Sequence, residues 1–414
     1  MIPTVLANPA VRALWVTELG DAVDRAVRGV ALPWLVLETT GSTLSLGLAF
    51  AMFSAPDAVL APLIGHLIDA LPTRLTLVMG SVLQGLIVAG IGLMATTKTL
   101  PPTVLYASLV CLSVVVGLTH NARRTALPAV ADDAALDDAN AALDAVRAGV
   151  GLAALGTGGW LIVTVGAGQA LLLGGVAPVL GTAALWGFEM PASESEDAQS
   201  PTASKGIARL KTTATEGIQE IWRNRVIRQL LAFGLVVNLL LVPLRSVLIP
   251  TLGRRTFESA LALTVLLGAF RAGDFLGTLL AGAASTDRRT SIILGAAVVG
   301  CATAAAGTLA SELGAGVVAL GSIAITLFGT GVGMPLFNVP SSSAVQAAAP
   351  AERRGTIITT VNAVLQSVFP LPLVAAGWLL GTVTVGSLLV GVGAGMGVVT
   401  VGAAAFLTLG EAQG

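Results

Sequence analysis

Five ionisable residues stand within eleven positions of an otherwise apolar stretch: Glu18, Asp21, Asp24, Arg25 and Arg28. At about 100° per residue on a helix, Glu18, Asp21, Arg25 and Arg28 fall within about 80° of one another, and Asp24 widens the arc to about 120°. Asp21 with Arg25 and Asp24 with Arg28 are i,i+4 pairs with the acid placed first, the better order on a helix. A charge at the middle of a membrane span opposes insertion by about 2.5–3.5 kcal/mol. A stripe of five must therefore face protein or water. Three acids against two bases leave one carboxyl unmatched within the helix, and a desolvated carboxyl can take up and release a proton as its exposure changes. Glu18, Asp21 and Asp24 are thus candidates for proton coupling. The competing reading is a neutralised packing network with no part in transport.

The same types recur further along the chain. Adding 217 takes Arg28 to Arg245, Pro33 to Pro250, Phe53 to Phe270, Asp57 to Asp274 and Gly65 to Gly282. Charged residues inside apolar stretches are expensive enough for such matches to mark an internal repeat. Counted from a loop near residue 40, Arg28 is about 12 residues away and Asp57 about 17, a depth difference of about 7 Å at 1.5 Å per residue. That is within reach of an arginine. The arithmetic predicts two pseudo-symmetric ion pairs, Arg28 with Asp57 and Arg245 with Asp274. Arg271 competes for Asp274 from one turn away. Such pairs either staple neighbouring helices or line the cavity and exchange partners with the acids of the first span.

Gln84, Asn238, Asn362 and Gln366 are the other polar candidates inside apolar stretches, suited to interhelical hydrogen bonds or to substrate contact. His66 and His120 fall at helix ends, where a solvated histidine is expected. Two histidines and two cysteines, Cys111 and Cys301, leave little to build a metal site from, and each cysteine reads as a small hydrophobe. No HExxH, GxSG or GxGD pattern occurs, so the chemistry of membrane proteases has no support, and no cofactor is expected. A net charge of −1 without a long basic run argues against a nucleic-acid partner.

The elements that position these residues follow from composition. Only 11% of the 414 residues are charged and 55% are hydrophobic, less than half the charged share of a typical soluble domain, about 25%. Apolar runs of helical length recur throughout, which predicts an all-α polytopic membrane protein. Twelve spans are expected: near 11–37, 43–67, 75–96, 102–121, 143–165 and 168–188, then 226–251, 259–284, 291–311, 315–338, 355–381 and 384–409. The first is too long and too charged for a cleavable signal core. Between the sixes lies a polar stretch that opens with an acidic, Ser/Pro-bearing segment. The expected organisation is an N-terminal half over 1–190, a linker over 191–224 and a C-terminal half over 225–414. With both termini and the linker cytoplasmic, fourteen basic residues lie inside and three outside, which fixes the orientation. Six spans per copy is an even number, so the repeats are parallel.

This organisation resembles the major facilitator superfamily. The stretch from Gly65 through Asp69 to Arg74 is similar to that superfamily's G-x-x-x-D-R-x-G-R-R motif, departing from it at Ala70, Pro72 and Thr73. Residues 35–50, 120–130 and 351–368 resemble the branch of macrolide- and siderophore-type exporters, with Asn121 where that branch has a proline. The resemblance implies a secondary transporter that exports a hydrophobic or amphipathic small molecule by proton antiport. It implies a monomer in the lipid bilayer of the cytoplasmic membrane, with protons as coupling ion. It assigns a cytoplasmic latch to Gly65, Asp69 and Arg74, with Arg123 and Arg124 as further members. A lipid flippase or nutrient importer of the same fold, and a transport-inactive receptor or scaffold, remain alternatives.

Overall fold

The computed structural model describes residues 8–130, 136–185, 217–283, 287–350 and 353–411; the side chains of 57–70 and of scattered further positions fall outside the described set. The first six helices are α1 (Pro9–Thr40), α2 (Thr43–Ala70), α3 (Thr73–Thr96), α4 (Pro102–Val130), α5 (Leu136–Val165) and α6 (Ala167–Gly181, extended by a 3-10 turn to Leu185). The remainder are α7 (Arg225–Thr256), α8 (Ala260–Ala283), α9 (Arg288–Glu312), α10 (Val317–Ala348), α11 (Arg354–Leu379) and α12 (Val385–Glu411). No strand occurs among the described residues. Nine of these helices are, among the described residues, long and apolar enough to cross a membrane. α1 is not among them because its charges fall in mid-helix. Most of the expected linker, 186–216, lies outside the described residues, while 217–223 are helical.

Backbone interruptions have local causes. Pro250 gives no N–H to the carbonyl one turn back, and two π turns, Leu244–Leu248 and Leu252–Thr256, flank it within α7. Arg245 stands in the first of them. α11 breaks after Ser367 and restarts at Pro370, where a missing N–H is harmless.

Contacts divide the chain into two compact units, residues 1–39 with 52–210 and residues 40–51 with 211–414. The start of α2 therefore belongs to the second unit, where Thr43 Oγ1 donates to the Gly377 carbonyl at 2.9 Å.

The repeat inferred from the sequence has a structural counterpart in each unit. Asn8 caps α1 by accepting from the Ala10 N–H, and its Nδ2 donates to the Val130 carbonyl at the end of α4. Asn224 caps α7 by accepting from Val226 and Ile227, and its Nδ2 donates to the Ala348 carbonyl at the end of α10. These matches put the repeat offset at 216 to 218 positions. Small residues bring equivalent helix pairs together. A methyl group on Gly92 of α3 would stand 2.5 Å from the Gly168 carbonyl oxygen of α6, and one on Gly307 of α9 2.6 Å from that of Gly386 on α12. Only glycine lets these backbones approach so closely.

Polarity is inverted relative to a soluble domain. Glu18 and Asp24 are fully buried at 0% exposure, whereas Ile325 and Val398 are 73% and 74% exposed. Apolar side chains cover the outside of the helices, and an exterior of that kind suits lipid.

Candidate functional site

The charged stripe of α1 faces into the first unit, where α3, α4 and α5 close over it. A cluster of Leu14, Leu77, Leu127 and Leu143 packs these helices together beside it. Arg123 of α4, 2% exposed, reaches both acids: Nη1 donates to Glu18 Oε2 at 2.5 Å, and Nη2 donates to Asp21 Oδ2. Arg147 of α5 donates to Glu18 from Nε at 2.7 Å and from Nη2 at 3.2 Å. Arg25 adds a third guanidinium to Glu18 at 3.4 Å. Arg28 holds Asp24 through two hydrogen bonds of 3.1 and 3.2 Å, and its guanidinium lies over the Phe53 ring, 5.2 Å from the centroid. Gln84 of α3 donates to Asp24 Oδ2 at 2.9 Å and lies 3.5 Å from Asp21 Oδ1.

This geometry confirms the inward stripe and the Asp24–Arg28 pair and corrects two expectations. Arg25 bonds Glu18, seven residues back, because Arg123 has taken the Asp21 carboxylate. The surplus acid of α1 is also gone. Arg123 and Arg147 bring four guanidiniums to three carboxylates, so the cluster carries an excess cation when all groups are ionised. A chain that buries a carboxylate must supply its countercharge from a neighbouring helix if its own cannot. Arg147, an arginine within an apolar stretch that was not among the site candidates read from the sequence, was findable by that rule alone. Arg123, expected at a latch, is a buried partner of both acids, while its neighbour Arg124 is exposed.

The charges differ in what holds them. Glu18 meets three guanidiniums. Asp21 meets one guanidinium and lines a cavity of about 210 Å³ with Arg25, Arg28, Gln84, His120, Arg123 and Arg147. One oxygen of Asp24, Oδ1, and Nε of Arg123 have no hydrogen-bond partner among the described residues. The arrangement sets an ionisable carboxyl group beside a small polar cavity, hydrogen-bonded to an arginine that also holds a second acid.

The remaining candidates are placed as follows. Gly65 and Asp69 lie in α2 beyond the described side chains, as does Asp57, so the expected Arg28–Asp57 pair falls outside the described residues. Arg74 is half-buried near the start of α3. The expected Arg245–Asp274 ion pair does not form. Asp274 instead meets Arg271, on the same helix, at 3.9 Å. Arg245 retains solvent access, with Arg271 and Asp274 as its charged neighbours. Residues three apart on one helix meet at little conformational cost, which is why Arg271 wins.

Within the second unit, a cavity of about 270 Å³ lies among α7, α9, α10, α11 and α12. Asn238 and Asn362 line it together with Asn338, which sequence reasoning missed, and with Phe233 and Phe337. Gln366 is exposed and not part of this lining. The pattern Phe337-Asn338 inside an apolar stretch was the available signal.

Helices with apolar exteriors, a charged cluster held within one of two repeated units, and a cavity in each unit suit a multi-pass membrane protein that moves a solute. Residues 14–371 match the Major Facilitator Superfamily, and the chain belongs to it. It is a transporter rather than an enzyme, with a small-molecule substrate and a bilayer environment. It is 27% identical over 362 residues to the multidrug efflux pump Tap of Mycolicibacterium fortuitum, covering 84% of this chain and 83% of the pump. It is 30% identical over 254 residues to the multidrug efflux pump Tap of Mycobacterium tuberculosis, covering 59% and 58% of the two chains. Among solved structures, the nucleoside transporter NupG matches with TM-score 0.71 at 13% identity, over 96% of this chain and 99% of that one. A bacterial homologue of the iron transporter ferroportin in an inward-facing state matches with TM-score 0.70 at 14% identity, over 95% and 98%. At these identities the two structures speak for the fold alone.

Proposed function

We propose that the chain exports a hydrophobic or amphipathic small molecule in exchange for protons by alternating access, as a monomer in the cytoplasmic membrane with both termini inside. The observation that carries the reading is the pair of buried carboxylates, Glu18 and Asp21, bridged by Arg123 beside a polar cavity. The efflux activity named for the two Tap pumps supports the direction of transport.

In this reading Asp21 is the proton acceptor. It lines the cavity, and a single guanidinium balances its charge, whereas three hold Glu18 ionised. A proton entering from outside neutralises Asp21, and Arg123 then rests on Glu18 alone. The loosened tie between α1 and α4 favours the opposite-facing state. Loss of the proton to the cytoplasm restores Asp21 as a carboxylate and re-forms the bridge. Gly65, Asp69 and Arg74, with Arg124, form the cytoplasmic latch in the same scheme. Asp69→Asn should raise cross-linking access at the cytoplasmic mouth.

Expression in a host stripped of its own efflux pumps tests the reading. The expected result is lowered accumulation of at least one amphipathic compound, reversed by a protonophore. A broad compound panel that shows no protonophore-sensitive change overturns it.

A further inference from the structure

The offset set by the two asparagine caps also relates part of the two cavity linings to each other. At 216 to 218 positions, Asp21 falls on Asn238, His120 on Asn338 and Arg123 on Ser341. Arg147 falls on Leu365, with Asn362 one turn before it. These four counterparts line the second unit's cavity, as Asp21, His120, Arg123 and Arg147 line that of the first, whereas the counterparts of Arg25, Arg28 and Gln84 do not. The same place in the two repeats thus holds an ionic cluster in one and side-chain amides in the other.

The amides are available. Asn238, Asn338 and Asn362 make no side-chain hydrogen bond among the described residues. The nearby hydroxyl of Ser341 is occupied, donating to the Phe337 carbonyl at 2.7 Å. Asn238 is half-buried and Asn338 and Asn362 are exposed, so each amide presents two donors and one carbonyl acceptor to a compound entering the cavity, which must replace their water with hydrogen bonds of its own. Among the described residues, no ionisable one lines this cavity. An ion entering it would lose hydration with no countercharge in return.

We propose that the second unit's cavity is a binding subsite for an uncharged compound: an apolar body seated against Phe233 and Phe337, with hydroxyl, carbonyl or amide groups held by Asn238, Asn338 and Asn362. Division of labour follows from the repeat. The first unit handles charge, and the second recognises neutral polar groups. The proposal rests on the export reading for its setting only, because equilibrium binding needs no proton gradient.

The test is equilibrium binding to the purified full-length chain in detergent. Two probes are used: chloramphenicol, which is uncharged and carries an amide and two hydroxyls, and ethidium, a permanent cation. Each asparagine is replaced singly by leucine, and all three together. Gel filtration and thermal melting check folding, which should be unaffected because no protein hydrogen bond is removed. The wild type should bind chloramphenicol saturably. Each single leucine should weaken it by about two- to tenfold and the triple variant by about tenfold or more, with ethidium binding little changed. If a leucine variant fails to fold, the serine variant at that position, which keeps one hydrogen-bonding group, should show a smaller weakening. Absence of saturable chloramphenicol binding by the wild type overturns the proposal. So does binding that the substitutions leave unchanged, or an equal loss for ethidium. A chain that binds in this way but shows no proton-driven transport sinks the export reading and leaves the subsite standing.

Discussion

Replacing Arg123 with methionine removes the guanidinium that ties α4 to both buried acids of α1 while keeping most of the side chain's bulk. The consequence can be worked acid by acid. Glu18 keeps Arg147, at 2.7 and 3.2 Å, and Arg25, at 3.4 Å. Among the described residues Asp21 keeps the Gln84 amide alone, at 3.5 Å. The substitution therefore strands one carboxylate rather than two, and removing one partner of a buried pair costs about 3–5 kcal/mol. Neutralising the stranded group should return most of that loss. Arg123→Met combined with Asp21→Asn should be more stable than Arg123→Met alone, with a coupling of about 2–3 kcal/mol. Arg123→Met combined with Glu18→Gln should not recover, because it leaves Asp21 stranded and takes the acid from Arg25 and Arg147. Thermal unfolding in detergent of six purified proteins, wild type, Arg123→Met, Asp21→Asn, Glu18→Gln and the two double variants, measures this. Equal rescue by Asp21→Asn and Glu18→Gln would refute the reasoning, as would an Arg123→Met variant as stable as the wild type.

Three further outcomes are expected. Asn8→Ala and Asn224→Ala should each cost about 1 kcal/mol in detergent unfolding, and by similar amounts, because each removes the same N-terminal cap and the same tie to the fourth helix of its repeat. Gly331→Leu should destabilise by about 1–3 kcal/mol or more, since any side chain there runs into the backbone of α8 around Phe270 and Asp274. Gly282→Ala, facing open space, should be neutral or slightly stabilising in the same melts. Gln84→Leu should lower transport more than stability: Asp24 keeps Arg28, but the link from α3 to the acids at the cavity wall is lost, which paired uptake and melting assays will separate.

The apolar runs of the sequence fix the helices, because apolar length and charge placement are local properties of the chain. The repeat was equally legible, since Arg28, Asp57, Arg245 and Asp274 are rare types inside apolar runs. Partner choice was not. Asp21 and Arg25 have ideal spacing, yet Arg123 takes the acid from a helix about a hundred residues away, and no local pattern states which helix face will close over another. Arg245 illustrates the reverse case. A long-range partner was expected from depth arithmetic, and a local one on α8 held Asp274 instead. The asparagines of the second cavity were half visible. Asn238 and Asn362 stood out by type, while Asn338 gained meaning only when the structural caps set the repeat offset.

In the proposed cycle, protons drive transport through Asp21. The most direct test uses proteoliposomes of the purified chain with an acidic lumen, a panel of uncharged and cationic amphipathic compounds outside, and wild type beside Asp21→Asn. Wild type should accumulate at least one compound in the vesicles, and nigericin should abolish the accumulation. Asp21→Asn should still exchange labelled for unlabelled compound but no longer concentrate it. Accumulation by Asp21→Asn equal to that of the wild type, or wild-type accumulation that survives collapse of the gradient, would contradict the proposed cycle.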